Sequence, residues 1–345
     1  MRTIDVMAAK KLAMRYVLTH PYERDYWEKA MAITSVLAWG DAEEIAVVRN
    51  WIDRAVETQT SNGDLNYAEP LDLPAGHVRT FTPTSSLPCS LGYPLLLMFQ
   101  RTGDAAYLEA ARLQVEALVR TNRTSEGGIW ARKEGPELWV DFLYMMCPFL
   151  ILYGQVAKQQ VYIDEAFKQF AVHVKHLVDP FEGLTRHAWC EKPNSYPQST
   201  FWARGNGWLV CVSMDILALA PNHPGAAQVK EVATRALLKM AEYQDRSGYF
   251  HHVLDDANTK LEASATVMFA YAAAQAASLG LVDKSFLERA LKALRVVAGS
   301  IEDSGAIPGV AVPPGGPGVP FGTTLFGQGF FLLAAHALQE RLNAG

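Results

Sequence analysis

The stretch GDAAYLEAARLQVEALVRTNRTSEGGIWARKEGPELWVDFLYMMCPFLILYG, residues 103–154, carries one complete repeating unit of the chain. Its first part places Leu108, Ala111, Val115 and Leu118 three and four positions apart, the spacing of a helix with one wet face. The Gly-containing SEGGIW then predicts a turn or short hairpin. From Trp139 to Tyr153 the chain is apolar on nearly every side, and such a helix must be surrounded by protein. The unit therefore reads as an outer helix, a turn and an inner helix.

Working outward, the same unit recurs about every 60 residues. Amphipathic segments open near Gly40-Asp41, Gly103-Asp104, Val161-Tyr162, Pro224-Gly225 and Val282-Asp283. Turn stretches follow at SNGDL from Ser61, SEGGIW from Ser125, FEGLTRHAW from Phe181, RSGYFHH from Arg246 and SGAIPGV from Ser304. Apolar segments run over Tyr26–Trp39, Leu87–Phe99, Trp139–Tyr153, Gly207–Leu219, Ser264–Leu279 and Thr323–Leu338. With Val6–Leu18 as the first outer helix, outer and inner elements alternate in six pairs. A linear solenoid needs polar caps on its terminal repeats, and neither end of this chain is more polar than the middle. The pattern predicts an all-α fold, an (α/α)6 barrel of six helical hairpins, with residues 1–345 as a single catalytic domain.

The 345 residues are 50% hydrophobic and 19% charged, a balance that supports a large core and excludes a disordered chain. A net charge of -5 argues against nucleic acid as a partner. Asp5, Lys10, Lys11 and Arg15 interrupt the apolar positions of the N-terminal segment, and no run suits a membrane span. The expected location is cytoplasmic. Cys89, Cys147, Cys190 and Cys211 lack CxxC spacing and read as buried free thiols.

If the inner helices run parallel, their N-termini and the preceding loops gather on one rim, where a rigid scaffold commonly carries function. Aromatic and ionisable residues concentrate there: Asp25, Tyr26 and Trp27; Trp130, Arg132, Lys133, Trp139 and Asp141; His187, Trp189, Trp202, Arg204 and Trp208; His251, His252 and Glu262. So many indoles suit the stacking of sugar rings.

Asp141, in LWVDFLYMMCPFL, is an acid at the start of an apolar helix, a costly position unless the group is paired, neutral or functional. Desolvation raises its pKa and the helix N-terminus lowers it. Simple helix capping would equally explain its place. STFWARGNGWLV, residues 199–210, offers Arg204 as a planar fork for a carboxylate and Trp202 and Trp208 as flat faces. A tight turn with Arg204 in a structural ion pair is the alternative. His187, in TRHAWCE, suits hydrogen bonding or acid/base work, or is a structural ring beside a Trp. His251 and His252 lack an i, i+4 or Cys partner, so no metal is expected. Phosphate-cradling and GxSxG motifs are absent from the sequence.

At LWVDFLYMMCPFL, RHAW, FWARGNGW, SGYFHHVLDD with LEASATVMFAYAAA, and GQGFFLLAAHAL, the chain resembles the unsaturated rhamnogalacturonyl hydrolases. These are six-hairpin glycosidases of glycoside hydrolase family 105, related to the unsaturated glucuronyl hydrolases. The resemblance implies removal of a 4,5-unsaturated uronic acid from the non-reducing end of lyase-generated acidic oligosaccharides, by hydration of the vinyl ether double bond. It implies Asp141 as the proton-transferring group and Trp139, His187, Arg204 and Trp208 as substrate contacts, joined on the rim by Trp202, Tyr26, Trp27 and His251. No metal or organic cofactor is implied. Three departures stand out. SSLPCSLG, residues 85–92, has no carboxylate where the family usually carries an aspartate. Cys190 stands where an acid is common, and no histidine accompanies Arg132 and Lys133.

Other chemistries on the same barrel remain open at this point. Hydrolysis of a saturated uronic acid glycoside needs two carboxyls, with Glu262 or Asp25 joining Asp141. An epimerase would pair His187 with His251 or His252. An impaired carbohydrate-binding relic would follow from the missing aspartate.

Overall fold

The structure, a computed structural model, describes residues 5–20, 26–65, 82–313 and 318–343, and of Tyr26 the backbone alone. Outer helices α1 (Val6–Thr19), α3 (Ala42–Glu57), α5 (Ala105–Val119), α7 (Gln160–Leu177), α9 (Ala226–Glu242) and α11 (Ser285–Ala298) alternate with inner helices. The inner ones are α2 (Tyr26–Trp39), α4 (Cys89–Thr102), α6 (Asp141–Val156), α8 (Ala203–Leu219), α10 (Ala263–Ser278) and α12 (Leu325–Ala337). A short α13 (Gln339–Asn343) follows. Each inner helix packs on the next, and α12 packs on α2, so the ring closes as an (α/α)6 barrel.

Polarity drives this layering. Thirteen positions of α6, Phe142 to Gly154, are all buried, whereas α3 buries only Val48, Ile52 and Ala55. The outer helices start at side-chain caps where the sequence supplies them. Asp41 and Glu44 form a reciprocal capping box at α3, and Asp104 accepts from the Ala106 amide at α5. The turn glycines sit where only glycine fits. Gly63 and Gly305 have φ of 96° and 92°, and an added Cβ would lie 2.5 Å and 2.2 Å from the carbonyl oxygens of Leu113 and Leu12.

Ring closure also depends on glycine. A Cβ on Gly329 of α12 would stand 2.8 Å from the Met31 carbonyl oxygen of α2, so the two backbones touch directly.

Short strands decorate one rim. β1 (Glu137–Trp139), β2 (Ala188–Cys190) and β3 (Ser195–Gln198) form an antiparallel sheet in that order. β4 (Phe250–His251) pairs with β5 (Leu261–Glu262), and β6 (Val310–Ala311) with β7 (Phe321–Gly322). Several starts differ from the periodicity: α4 begins at Cys89 and not Leu87, Trp139 lies in β1 with α6 beginning at Asp141, and α8 begins at Ala203, so Arg204 and Asn206 occupy its first turn. All four cysteines are free and buried. No helix among the described residues is long and apolar enough to cross a membrane.

Candidate active site

Asp141 is the first residue of α6, but its side chain does not cap that helix. It turns instead toward His187, whose Nε2 lies 2.9 Å from its Oδ2. The two atoms sit at ion-pair distance without the alignment of a hydrogen bond, and neither has another partner. The Asp141 side chain is 18% exposed and the His187 side chain 1%.

The three-stranded sheet builds this contact from distant segments. Val140 donates its amide to the His187 carbonyl at 3.0 Å, and Trp139 pairs with Ala188, which sets residue 187 beside residue 141. Ala188 in turn pairs with Gln198, and the Gln198 Oε1 meets the His187 Nδ1. A carbonyl oxygen only accepts, so Nδ1 carries the hydrogen and Nε2 faces Asp141. Nε2 is the ring nitrogen placed to exchange a proton with Oδ2. Asn206 anchors the loop before His187: its Oδ1 accepts from the Thr185 amide at 2.8 Å, and its Nδ2 donates to the Thr185 carbonyl at 3.1 Å.

Aromatic rings wall the pair. The Trp139 and Trp202 rings are centred 5.4 Å and 4.5 Å from the imidazole of His187. The Trp139 indole is oriented by its Nε1, which donates to Glu137 at 2.8 Å, and Glu137 also holds Arg132 at 3.0 Å. Trp208 is fully buried beneath, against Trp27 at 6.0 Å and Tyr144 at 5.0 Å between ring centres.

Arg204 is not a free fork. At 1% exposure it lies between the rings of Trp202 and Phe326, 4.4 Å and 4.9 Å away. It donates to the Ala311 carbonyl at 2.6 Å and stands 3.6 Å from Glu262. Burial lowers the pKa of its guanidinium, while the nearby charges of Glu262, Asp141 and Glu28 favour the cation. The ion pair of the alternative drawn from the sequence is present, on a helix and not in a tight turn, and Arg204 also places positive charge beside Asp141.

Glu262 is occupied as well. It caps α10, accepting from the Ala265 amide at 2.6 Å, the Ala311 amide at 2.9 Å and the Ser264 hydroxyl at 2.7 Å. It has no exposed surface and stands away from solvent as a structural carboxylate. His251 also stands apart: its Nδ1 meets the Thr259 carbonyl at 2.6 Å and its Nε2 lies 3.9 Å from Asp245. The neighbouring His252 is the ring that reaches Trp202, 6.4 Å away. Trp189 stacks on His176 at 3.8 Å. Asp25 and the side chain of Tyr26 lie outside the described residues.

Hydroxyls line the segment where an aspartate was expected. Thr84 Oγ1 lies 2.6 Å from Ser86 Oγ and donates to the Trp130 carbonyl at 2.6 Å. The nearby acid comes from the start of the same α3–α4 connection: Asn62 Nδ2 donates to Asp64 at 2.9 Å and to Ser85 Oγ at 3.4 Å. Among the described residues no group of three or more His, Cys, Asp and Glu is disposed to hold a metal.

A ring of helical hairpins with a carboxylate at the mouth, walled by indoles, is the fold of the six-hairpin glycosidases. The chain belongs to glycosyl hydrolase family 88, whose family model matches residues 4–342. It is 29% identical over 233 residues to the unsaturated rhamnogalacturonyl hydrolase YesR of Bacillus subtilis, a match covering 65% of this chain and 66% of that enzyme, just under two thirds of its length. It is 30% identical over 171 residues to the unsaturated 3S-rhamnoglycuronyl hydrolase of Formosa agariphila, covering 45% of this chain and 44% of that one. A crystal structure of a possible GH105 member from Salmonella enterica shares the fold with a TM-score of 0.83 at 23% identity, over 99% of this chain and 96% of that one.

Proposed function

We propose that this glycoside hydrolase, acting as one catalytic unit, removes a 4,5-unsaturated uronic acid from the non-reducing end of an acidic oligosaccharide by hydrating its double bond. The observation that carries this reading is the Asp141–His187 contact at 2.9 Å, beside Trp139 and within the field of Arg204. In the reaction, the Asp141 carboxyl gives its proton to C4. A water adds its oxygen to C5 and returns a proton to the carboxylate. The resulting hemiketal opens and releases the aglycone sugar. A single carboxyl that both gives and takes a proton meets this demand.

His187, held by Gln198, sets the orientation and proton of Asp141. Trp139 offers the sugar a flat face, and Trp202, Trp208 and Trp27 support that wall. Arg204 supplies positive charge toward the uronate and the transition state. Hydrolysis of a saturated glycoside would need a second carboxyl across the bond; of the two candidates, Glu262 is committed to capping α10 and Asp25 lies outside the described residues. Of the two histidines that could join His187 in epimerisation, His251 is turned to Asp245 and Thr259, whereas His252 lies on the other side of Trp202 from it.

The test is incubation of the purified protein with lyase-generated unsaturated oligosaccharides, following loss of the ultraviolet absorbance of the double bond. Turnover by the wild type, abolished in Asp141→Asn, is the expected result. If every such substrate keeps its absorbance, the reading fails.

A further inference from the structure

Two indoles flank the imidazole of His187, and they differ in exposure. Trp202 is 1% exposed, whereas Trp139 is only half-buried. Trp139 is therefore the ring of the two that a sugar can meet.

What sets Trp139 apart is its partner. Glu137 and Trp139 stand two positions apart on β1 and so share a face of the strand. The Glu137 Oε2 accepts from the indole Nε1 at 2.8 Å, and its Oε1 lies 3.0 Å from the Arg132 guanidinium. The Glu137 side chain is 7% exposed, and its carboxylate has no part in the proton transfers described above. An indole N–H is satisfied by any neutral carbonyl, so a buried acid with its own cation is more than the bond requires. A hydrogen bond to an anion is about twice as strong as one to a neutral group, and it pushes electron density from the N–H into the ring. The face of such an indole is more negative and attracts positive charge more strongly.

The hydration reaction produces positive charge at one stage. When the Asp141 proton bonds to C4, the electron pair of the C4–C5 double bond forms the new C–H bond. C5 and the ring oxygen are left to share the charge of an oxocarbenium ion. That charge ends when the oxygen of water bonds to C5 and a proton of the same water passes to the carboxylate. Trp139 stands beside the group that starts this step: its ring centre is 5.4 Å from the imidazole whose Nε2 lies 2.9 Å from the Asp141 Oδ2.

We infer that Glu137 is a positioning residue for this step, which aims the Trp139 indole and makes its face electron-rich, so that the ring stabilises the positive charge at C5. The inference rests on the proposed hydration reaction and adds a group that acts through Trp139 without touching the sugar. Arg132 balances the charge of Glu137 at its other oxygen.

The experiment measures kcat and KM on one unsaturated disaccharide, together with melting temperatures, for the wild type, Glu137→Gln, Trp139→Phe and the double variant. Glu137→Gln keeps an acceptor for Nε1 and removes the charge. It should lower kcat about two- to tenfold with KM nearly unchanged, because the positive charge is absent from the ground state. In the Trp139→Phe background the same exchange at position 137 should change kcat little. An equal loss in both backgrounds, an unchanged kcat in Glu137→Gln, or a change confined to KM overturns the inference and leaves the hydration reaction standing. A second measurement needs no change at position 137. Protein made with 5-fluorotryptophan, whose rings are electron-poor, should be slowed more in the wild type than in Trp139→Phe, and an equal slowing in both overturns the inference. Absence of turnover by the wild type with every unsaturated substrate overturns the hydration reaction and the inference together.

Discussion

The Nε2 of His187 lies 2.9 Å from the Oδ2 of Asp141, while the opposite nitrogen of the same ring is held by Gln198. The Gln198 oxygen takes the hydrogen of Nδ1, which turns Nε2 toward the carboxyl and keeps the ring from rotating away. Replacing Asp141 by Asn keeps the shape and removes the transferable proton. The expected loss in kcat is about 10²–10⁴-fold, with the melting temperature little changed, measured by absorbance kinetics and calorimetry on the same preparation.

Gln198 acts through His187 and should behave as a positioning residue. Gln198→Leu removes the acceptor for Nδ1, which frees the ring to change tautomer. The expected result is a fall in kcat on the order of tenfold to a hundredfold, a displaced pH–rate profile, and partial recovery in Gln198→Asn. An unchanged pH profile would assign Gln198 to stability alone.

Deep in the barrel, burial pushes the Asp215 carboxyl up to about 6, although Tyr271 and Tyr144 donate hydrogen bonds to it. The folded pKa exceeds the ordinary one of 3.8, so the fold retains a proton that the unfolded chain loses. The resulting penalty is absent below pH 4, grows as pH rises to 6 and stays constant above. Asp215→Asn should therefore be more stable than the wild type by up to about 3 kcal/mol at pH 7, with the difference vanishing at pH 4. Denaturant titrations at the two pH values read it directly.

His173 on α7 titrates in the opposite sense. Burial pushes its pKa down to about 4 from 6.5, and its Nδ1 donates to the Gln169 carbonyl at 2.8 Å. The neutral ring is accommodated, and stability is lost as pH falls from 6.5 toward 4. That acid limb amounts to about 3 kcal/mol. His173→Leu should flatten it in a pH series of thermal melts.

The seam between α12 and α2 should be intolerant of any side chain at position 329. Gly329→Ala brings a methyl to 2.8 Å from the Met31 carbonyl oxygen, where backbone rather than a flexible side chain must move. A loss of about 1–3 kcal/mol is expected, read as a lowered midpoint in chemical denaturation.

Much of the architecture was legible because burial leaves a period in the sequence. The apolar segment Tyr26–Trp39 coincides with α2, and the acid at 141 opens α6 as its surroundings implied. Start points were less legible: α8 begins four residues before Gly207, because Ala203 is fixed by its bond to the His252 carbonyl, a contact from another repeat. At the site, Asp141, Trp139, His187 and Trp202 assemble. Arg204 meets Glu262 instead of solvent, and His251 is taken up by the Thr259 carbonyl. Gln198 carried no signal of its own, since nothing in its neighbours separates a positioning amide from an ordinary loop glutamine. Only the register of β2 against β3 brings it to His187.

The chain alone determined the alternation of outer and inner helices and an acid at the mouth of an inner one, because amphipathic spacing and the cost of burying charge are local properties. Tertiary structure decided the partners: which ring faces Asp141, which acid neutralises Arg204, and which acid stands near Ser85. The first two pairings join residues from separate hairpins and the third joins the two ends of the α3–α4 connection, and their distances are set by the closure of the ring, by strand register and by the folding of that connection, none of which a short segment contains.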